Sequence, residues 1–279
     1  MNRIGIMQGR LSTPFDGRIQ FFPVHTWREE LALAQQAGFD CIEWVFEQET
    51  LQKNPLMNDK GIAEIKELSE KHHIRISSIC ANYFMKDLLF TPDGKTSAAA
   101  YERLGRLAGA AAEIGADYIV LPLLETAKIQ VSEGIVHALR KAADLVRRHD
   151  IDLHLETDLE PDALAWLMRS VERKNVLALF DMGNSASLGF DPRTEIKTLA
   201  PYLGSVHVKD RILGGGSFPL GQGSVNFKEV FSTLKEVGYP GQFIFEIARV
   251  KDMIELQYQK QNLAFVKSFL STSTSGRPR

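Results

Sequence analysis

The sequence predicts a closed (β/α)8 barrel over residues 1–270 of a 279-residue chain. Three observations lead there. Short apolar runs alternate with amphipathic helical patterns from one end of the chain to the other. Several helical stretches close on a glycine and pass at once into an apolar strand, as in QQAGFDCIEW, AEIGADYIV and KEVGYPGQFIF. No linker, charge block or low-complexity stretch interrupts the repeat. An open doubly wound sheet is the competing architecture, but no GxGxxG follows the first strand.

The predicted strands are RIGIM (3–7), CIEWVF (41–46), IRISSIC (74–80), YIVLPL (118–123), IDLHLE (151–156), VLALFD (176–181), GSVHVK (204–209) and QFIFEI (242–247). Each is short, rich in β-branched or aromatic residues, and bounded by turn-forming residues. Eight helices are expected between and after them, three with readable starts. Thr26 with Glu29 reads as a capping box. Asp191-Pro192 reads as an N-cap followed by proline at the first helical position. Asn226 with Glu229 reads as a further cap. The tail STSTSGRPR (271–279) is small and polar and is expected to be disordered.

Composition narrows the function. The chain is 44% hydrophobic, enough for a full core. A net charge of −2 offers no basic excess for tracking a phosphate backbone. The N-terminal run MNRIGIMQGRLS is broken by Gln8, Gly9 and Arg10, so it lacks the apolar core of a signal peptide. No run reaches membrane-spanning length. Cys41 and Cys80 lie in separate apolar segments and read as buried thiols of a reducing cytoplasm.

The most informative residues end four successive strands: Glu156 in LHLET, Asp181 in LALFDMGN, His207 in SVHVKD and Glu246 in FIFEIA. An acid at the end of a buried strand is costly unless paired. In a barrel the C-terminal strand ends surround the active site. Side-chain alternation turns Asp152, His154 and Glu156 to one face, His207 and Lys209 to one face, and Ile244, Glu246 and Ala248 to one face. Three carboxylates converging in an apolar mouth repel one another, and a divalent cation resolves the conflict. Three oxygen ligands and an imidazole suit Mn2+ best, with Mg2+, Co2+ or Zn2+ also compatible. Read singly, each of the four could equally be a locally paired polar residue; four in a row point to one metal ion.

These stretches resemble the xylose isomerase-like superfamily of sugar isomerases and epimerases, which also contains inosose dehydratases and the endonuclease IV group. The likeness spans essentially the whole chain. It is densest in SVHVKDRILGGGSFPLGQGSVNFKEVFSTLKEVGYPGQFIFE (205–246), where the histidine strand, Gly221-x-Gly223, the Asn226-Phe227 helix start and the final strand with its Glu follow the family's order. LHLET and FDMGN match two more ligand strands; IGIMQGRLS and GFDCIEWVFE match less closely. The resemblance implies that Glu156, Asp181, His207 and Glu246 hold one divalent metal. It further implies that Glu156 and Glu246 double as base and acid in an enediolate mechanism on a small sugar or ketose, phosphorylated or not. Ketose 3-epimerases of this group carry a histidine three residues after the metal-binding Asp; here Asn184 stands there. A dehydratase of the inosose or 3-dehydroshikimate type is the alternative on the same scaffold. An apurinic endonuclease is disfavoured, because its histidine-rich three-metal cluster has no counterpart here.

Around the four, Glu43, Asn82, His154, Asn184, Lys209 and Arg211 are candidate substrate contacts. Each also has a plainer reading: His154 as a hydrogen-bonded core histidine, Lys209 as an ion-pair partner, Glu43 as paired with a neighbour, the rest as loop-structuring residues. Arg10 and Arg249 sit near strand ends in the same way. Trp44, Tyr83 and Phe84 are read as pocket walls or, more commonly, core packing. Gly214-Gly215-Gly216 is compatible with a phosphate cradle, a lid, or a turn needing positive φ. The remaining histidines, His25, His72, His73, His137 and His149, read as surface residues. The expected partner is a small-molecule sugar or polyol-derived substrate, with no nucleic acid and no membrane, in a cytoplasmic protein that is a homodimer or homotetramer.

Overall fold

The computed structural model describes residues 2–14, 20–92, 94–250 and 253–271. Eight parallel strands close into a barrel: β1 (Ile4–Met7), β2 (Cys41–Val45), β3 (Arg75–Cys80), β4 (Tyr118–Leu123), β5 (Asp152–Thr157), β6 (Val176–Asp181), β7 (Leu203–Val208) and β8 (Phe243–Phe245). Sequential strands pair in order, and β8 closes the ring on β1 through Gly5↔Ile244. All eight predicted strands are present. Strand β8 is shorter than predicted, and beyond it the Glu246 N–H still bonds the Val208 carbonyl at 3.0 Å.

The α-helices are α1 (Trp27–Ala37), α2 (Asp59–His72), α3 (Ala98–Glu113), α4 (Glu133–Val146), α5 (Pro161–Val171), α6 (Met182–Leu188), α7 (Pro192–Leu199), α8 (Phe227–Glu236) and α9 (Glu255–Ser271). Nine are therefore present among the described residues, one more than predicted. The extra one, α6, follows β6 directly because Asp181 caps it, accepting the Asn184 N–H at 2.7 Å. The Asp191 and Asn226 caps form as expected, accepting from the Thr194 and Glu229 N–H groups. The capping box at Thr26 does not form. The Thr26 hydroxyl instead bonds Ser12 Oγ at 2.8 Å, which ties helix α1 to the loop after β1. The predicted disordered tail lies outside the described residues, except Ser271, which ends α9.

Outward-facing strand residues meet the helices. Phe243 packs on Phe231 of α8 at 5.4 Å between ring centres, and Phe245 on Phe39, in the turn that follows α1, at 5.2 Å. Burying each such side chain contributes about 1.5–3 kcal/mol, so the helix ring holds the barrel through these contacts. Trp44 is fully buried, its indole N–H donating to Asn54 Oδ1 at 3.1 Å, and Tyr83 and Phe84 are buried too. These aromatics are core, as the plainer reading held. Cys41 and Cys80 are buried free thiols.

Two register shifts mark the barrel wall. Between β2 and β3 the pairing moves from Ile42↔Ile76 to Glu43↔Ser78, leaving Ser77 as an extra residue. Between β6 and β7 it moves from Ala178↔Leu203 to Leu179↔Ser205, leaving Gly204 extra. Such irregularities re-aim side chains, and both prove to matter for what lines the barrel axis. Among the described helices, none is long and apolar enough to cross a membrane.

Candidate active site

Four C-terminal strand ends supply Glu156, Asp181, His207 and Glu246. Each is at most 7% exposed, and one potential ligand atom from each lies within 4.8 Å of all the others. The strand register produces this grouping: Asp181 and His207 are opposite one another across β6 and β7. Strand β5 brings Glu156 in from the side, and Glu246 follows β8.

Basic groups neutralise part of this acidity. Lys209 Nζ donates to Glu246 Oε1 at 2.8 Å and lies 3.5 Å from Asp181 Oδ2. His207 Nδ1 is 3.0 Å from Glu246 Oε2, and the buried Arg10 Nη2 is 3.6 Å from Glu246 Oε1. Burial alone would raise the Glu246 carboxyl, but Lys209 and His207 outweigh it and hold it well below the usual carboxylate range. Glu156 behaves oppositely: burial, then the nearby Glu246 charge, pushes it up to about 8. Burial would lower Lys209, yet Asp181 and Glu246 hold its ammonium above its ordinary value. His207 is likewise pushed up against its burial, by Glu43 and Glu246.

The donor set fits a hard divalent cation. Asp181 Oδ2 is buried without a hydrogen bond, facing the Lys209 ammonium at 3.5 Å and His207 Nδ1 at 3.9 Å, so it keeps acceptor capacity for a cation.

The other predicted residues are placed at different depths. Asn184, on α6, donates through Nδ2 to Glu156 Oε1 at 2.8 Å, and its Oδ1 accepts from Arg211 Nη1 at 2.8 Å. Arg211 also donates through Nε and Nη2 to the Gly215 carbonyl at 3.0 and 2.7 Å. Asn82 begins the turn after β3, and its Oδ1 accepts from Cys80 Sγ at 3.2 Å. Glu43 is 0% exposed; it contacts His207 and Ser78 and offers no surface to the mouth. His154 lies deeper still. Its ring stacks on Tyr118 at 3.8 Å, its Nδ1 bonds Ser205 Oγ at 2.8 Å, and it lines a cavity with Arg3, Asp117 and Gly204 at the opposite end of the barrel. Burial lowers its pKa to about 3, so it stays neutral. In place of a substrate contact or a support for Glu156, the structure shows a hydrogen-bonded core histidine. The extra Gly204 makes room for it, since a Cβ there would sit 2.7 Å from the imidazole.

The triple glycine turns a small antiparallel ribbon, Asp210–Arg211 with Ser217–Phe218. Gly214 has φ of 64°, and the Gly214 and Gly215 N–H groups are spent on the Ser187 and Ile212 carbonyls. A turn needing positive φ is thus the reading that fits, and those two amides are not available as a phosphate cradle.

Sequence reasoning missed four buried acids, Glu30, Glu47, Glu195 and Asp210, of which Glu30 and Asp210 each brace a loop through backbone N–H groups. Glu30 accepts the Gly9 and Leu11 N–H groups at 2.9 and 3.1 Å, bracing the loop that carries Arg10. Asp210 accepts three N–H groups, from Gly221, Gly223 and Val225, and thereby organises the loop after the ribbon. Glu30 looks like any first-turn helix acid, so nothing local flags it. Asp210 has a signal in retrospect: Gly223 must lack a side chain, because a Cβ would meet Asp210 Oδ1 at 2.2 Å.

Fold and site together define a (β/α)8 barrel with a carboxylate–imidazole cluster at its mouth. The sequence matches the xylose isomerase-like TIM barrel family over residues 31–269, and the chain belongs to that family. It is 24% identical over 238 residues to L-ribulose-5-phosphate 3-epimerase UlaE of Escherichia coli, covering 79% of this chain and 82% of that protein. Among solved structures, D-psicose 3-epimerase from Clostridium cellulolyticum H10, determined with D-tagatose, superposes with a TM-score of 0.75 at 16% identity, covering 96% of this chain and 99% of that one. An L-ribulose 3-epimerase matches over 100% of both chains, with a TM-score of 0.74 at 18% identity.

Proposed function

We propose that this protein is a divalent-metal-dependent isomerase or epimerase of a small sugar or ketose. The observation that carries the reading is the convergence of one potential ligand atom from each of four buried residues within 4.8 Å. Relatives named as sugar 3-epimerases support the same reading. Glu156, Asp181, His207 and Glu246 would hold the ion, with Mn2+ favoured by three oxygen donors and one imidazole. When bound, such an ion supplies Lewis-acid polarisation of a carbonyl and its neighbouring hydroxyl.

The protein's own groups divide the proton work. Glu246, held ionised by Lys209 and His207, is assigned the base role by its position at the cluster rather than by its basicity. Glu156, whose carboxyl is raised to about 8 by burial and the Glu246 charge among the protein groups alone, becomes an ionised ligand when a cation binds and is assigned the opposite proton transfer. They come from different strands, so they can serve opposite faces of one carbon, as inversion at that carbon requires. Asn184 fixes Glu156 by donating to its Oε1, and Lys209 steadies Glu246.

The test is proton exchange. Incubation with candidate ketoses and Mn2+ in D2O should place deuterium on the carbon next to the carbonyl. Chelation should stop it, and Glu156→Gln or Glu246→Gln should slow it by at least 100-fold, the usual contribution of a general acid or base. Undiminished exchange in both variants would sink the proposal. Loss of water from the product would instead identify a dehydratase on the same scaffold.

A further inference from the structure

The buried carboxylate beneath the ligand cluster has no role in the proton transfers above. Glu43 is 0% exposed at the middle of the barrel axis. Its Oε1 lies 2.9 Å from His207 Nε2, an ion-pair contact rather than an aligned hydrogen bond. Its Oε2 accepts the Ser78 hydroxyl at 2.8 Å. Ser78 stands opposite Glu43 only because the β2–β3 register shifts by one residue at Ser77. The chain of contacts continues downward. Ser78 pairs with Tyr118 across β3 and β4, and the Tyr118 hydroxyl accepts from Gln242 Nε2 at 2.5 Å. Cys41 Sγ in turn faces Gln242 Oε1 at 3.7 Å. Where barrel interiors are normally filled by branched aliphatics, this one carries a polar column that ends on His207.

We infer that Glu43 is a positioning residue: its carboxylate keeps the His207 proton on Nε2, turning the Nδ1 lone pair toward the Glu156–Asp181–Glu246 cluster. The geometry has the required sidedness. His207 Nδ1 is the nitrogen near Glu246 Oε2, at 3.0 Å, and Asp181 Oδ2, at 3.9 Å. Its Nε2 lies on the other edge of the ring, 2.9 Å from Glu43 Oε1. Among the protein groups alone the aligned contact is Nδ1 with Glu246 Oε2, and a cation held there would displace the Nδ1 proton and leave Nε2 protonated beside Glu43. An imidazole can ligate through only one nitrogen here, and which one is free depends on where the other holds its proton. A carboxylate behind a ligating histidine fixes both tautomer and ring orientation. The Ser78 bond keeps the carboxylate from rotating away. Glu43 therefore acts through His207, which stands between it and the ligand cluster.

The inference rests on the metal-site reading, and metal affinity separates the two. Mn2+ alone is titrated calorimetrically into the metal-free full chain, with circular dichroism confirming the fold of each variant. Glu43→Gln should bind Mn2+ about 10–100-fold more weakly, the usual effect of losing such a partner. Ser78→Ala should shift affinity in the same direction by less, and it carries the test if Glu43→Gln fails to fold. At saturating Mn2+ the ketose KM should be unchanged in both. With Mg2+ bound, nitrogen-15 spectra of the histidine rings should show the His207 proton on Nε2. Unchanged Mn2+ affinity in both variants, or a raised ketose KM with Mn2+ affinity intact, overturns the inference. Weakened Mn2+ binding in a protein whose wild type epimerises no ketose leaves it standing and removes the proposed activity instead.

Discussion

Replacing Glu30 by glutamine should flatten the pH dependence of stability between pH 4.5 and 7. Glu30 is 1% exposed, and its two oxygens accept the Gly9 and Leu11 N–H groups. Burial raises its pKa from 4.5 to about 7, because the N–H groups of the β1 loop only partly offset the lost hydration. The sign follows from linkage. With a folded-state value above the unfolded one, the native protein binds more protons between pH 4.5 and 7. Stability from this group is therefore full below pH 4.5 and lost as pH rises through 7. Each pH unit across that interval costs about 1.4 kcal/mol, so the whole interval costs roughly 3 kcal/mol. Glutamine has nearly the same shape and does not titrate. Urea unfolding of wild type and Glu30→Gln should be measured at pH 5, 6 and 7, and their difference taken at each pH. Glu195, also raised to about 7 by burial, and Glu156 titrate in both proteins and cancel in that difference. The variant should gain on the wild type by about 1.4 kcal/mol for each pH unit. Parallel stability curves would refute the reasoning and show that Glu30 is ionised throughout.

Two further outcomes are expected. Asn184→Ala removes the donor to Glu156 Oε1 and leaves Arg211 Nη1 without that acceptor; kcat/KM for the responsive ketose should fall by about 10-fold or more as Glu156 loses its anchor, and unfolding free energy should fall by about 1–3 kcal/mol. Asp210→Ala strands three N–H groups at the loop of Gly221, Gly223 and Val225; a loss of about 3 kcal/mol in unfolding free energy and faster amide exchange confined to that loop should follow, and protection unchanged there would contradict the assigned role.

The strand ends were legible because burial penalises charge. An acid closing an apolar run, as in LHLET or FIFEI, announces a partner before any coordinates exist. Alternation then turned Glu156 and Glu246 to the inner face of their strands, since the period of a strand is a local property. Depth was not legible. His154 and Glu156 share a face of β5, yet one lines a cavity at the far end of the barrel and the other reaches the mouth, because a strand crosses the full height of the barrel. Thr26 and Glu29 carry the residues of a capping box, but the nearer hydroxyl of Ser12 took Thr26, a contact made by the loop rather than the helix.

By itself the sequence determined the architecture, the strand carrying each polar end, and the charge that those ends bring together. These follow from periodicity and burial, which act over a few residues. Only the tertiary structure decided who touches whom across the barrel. Glu43 meets His207 rather than the mouth, and Asn184 bridges Arg211 to Glu156. Those pairings depend on the shifts at Ser77 and Gly204 and on the ribbon beyond β7. A single residue of stagger changes which side chains face one another, and no local pattern in the chain encodes it.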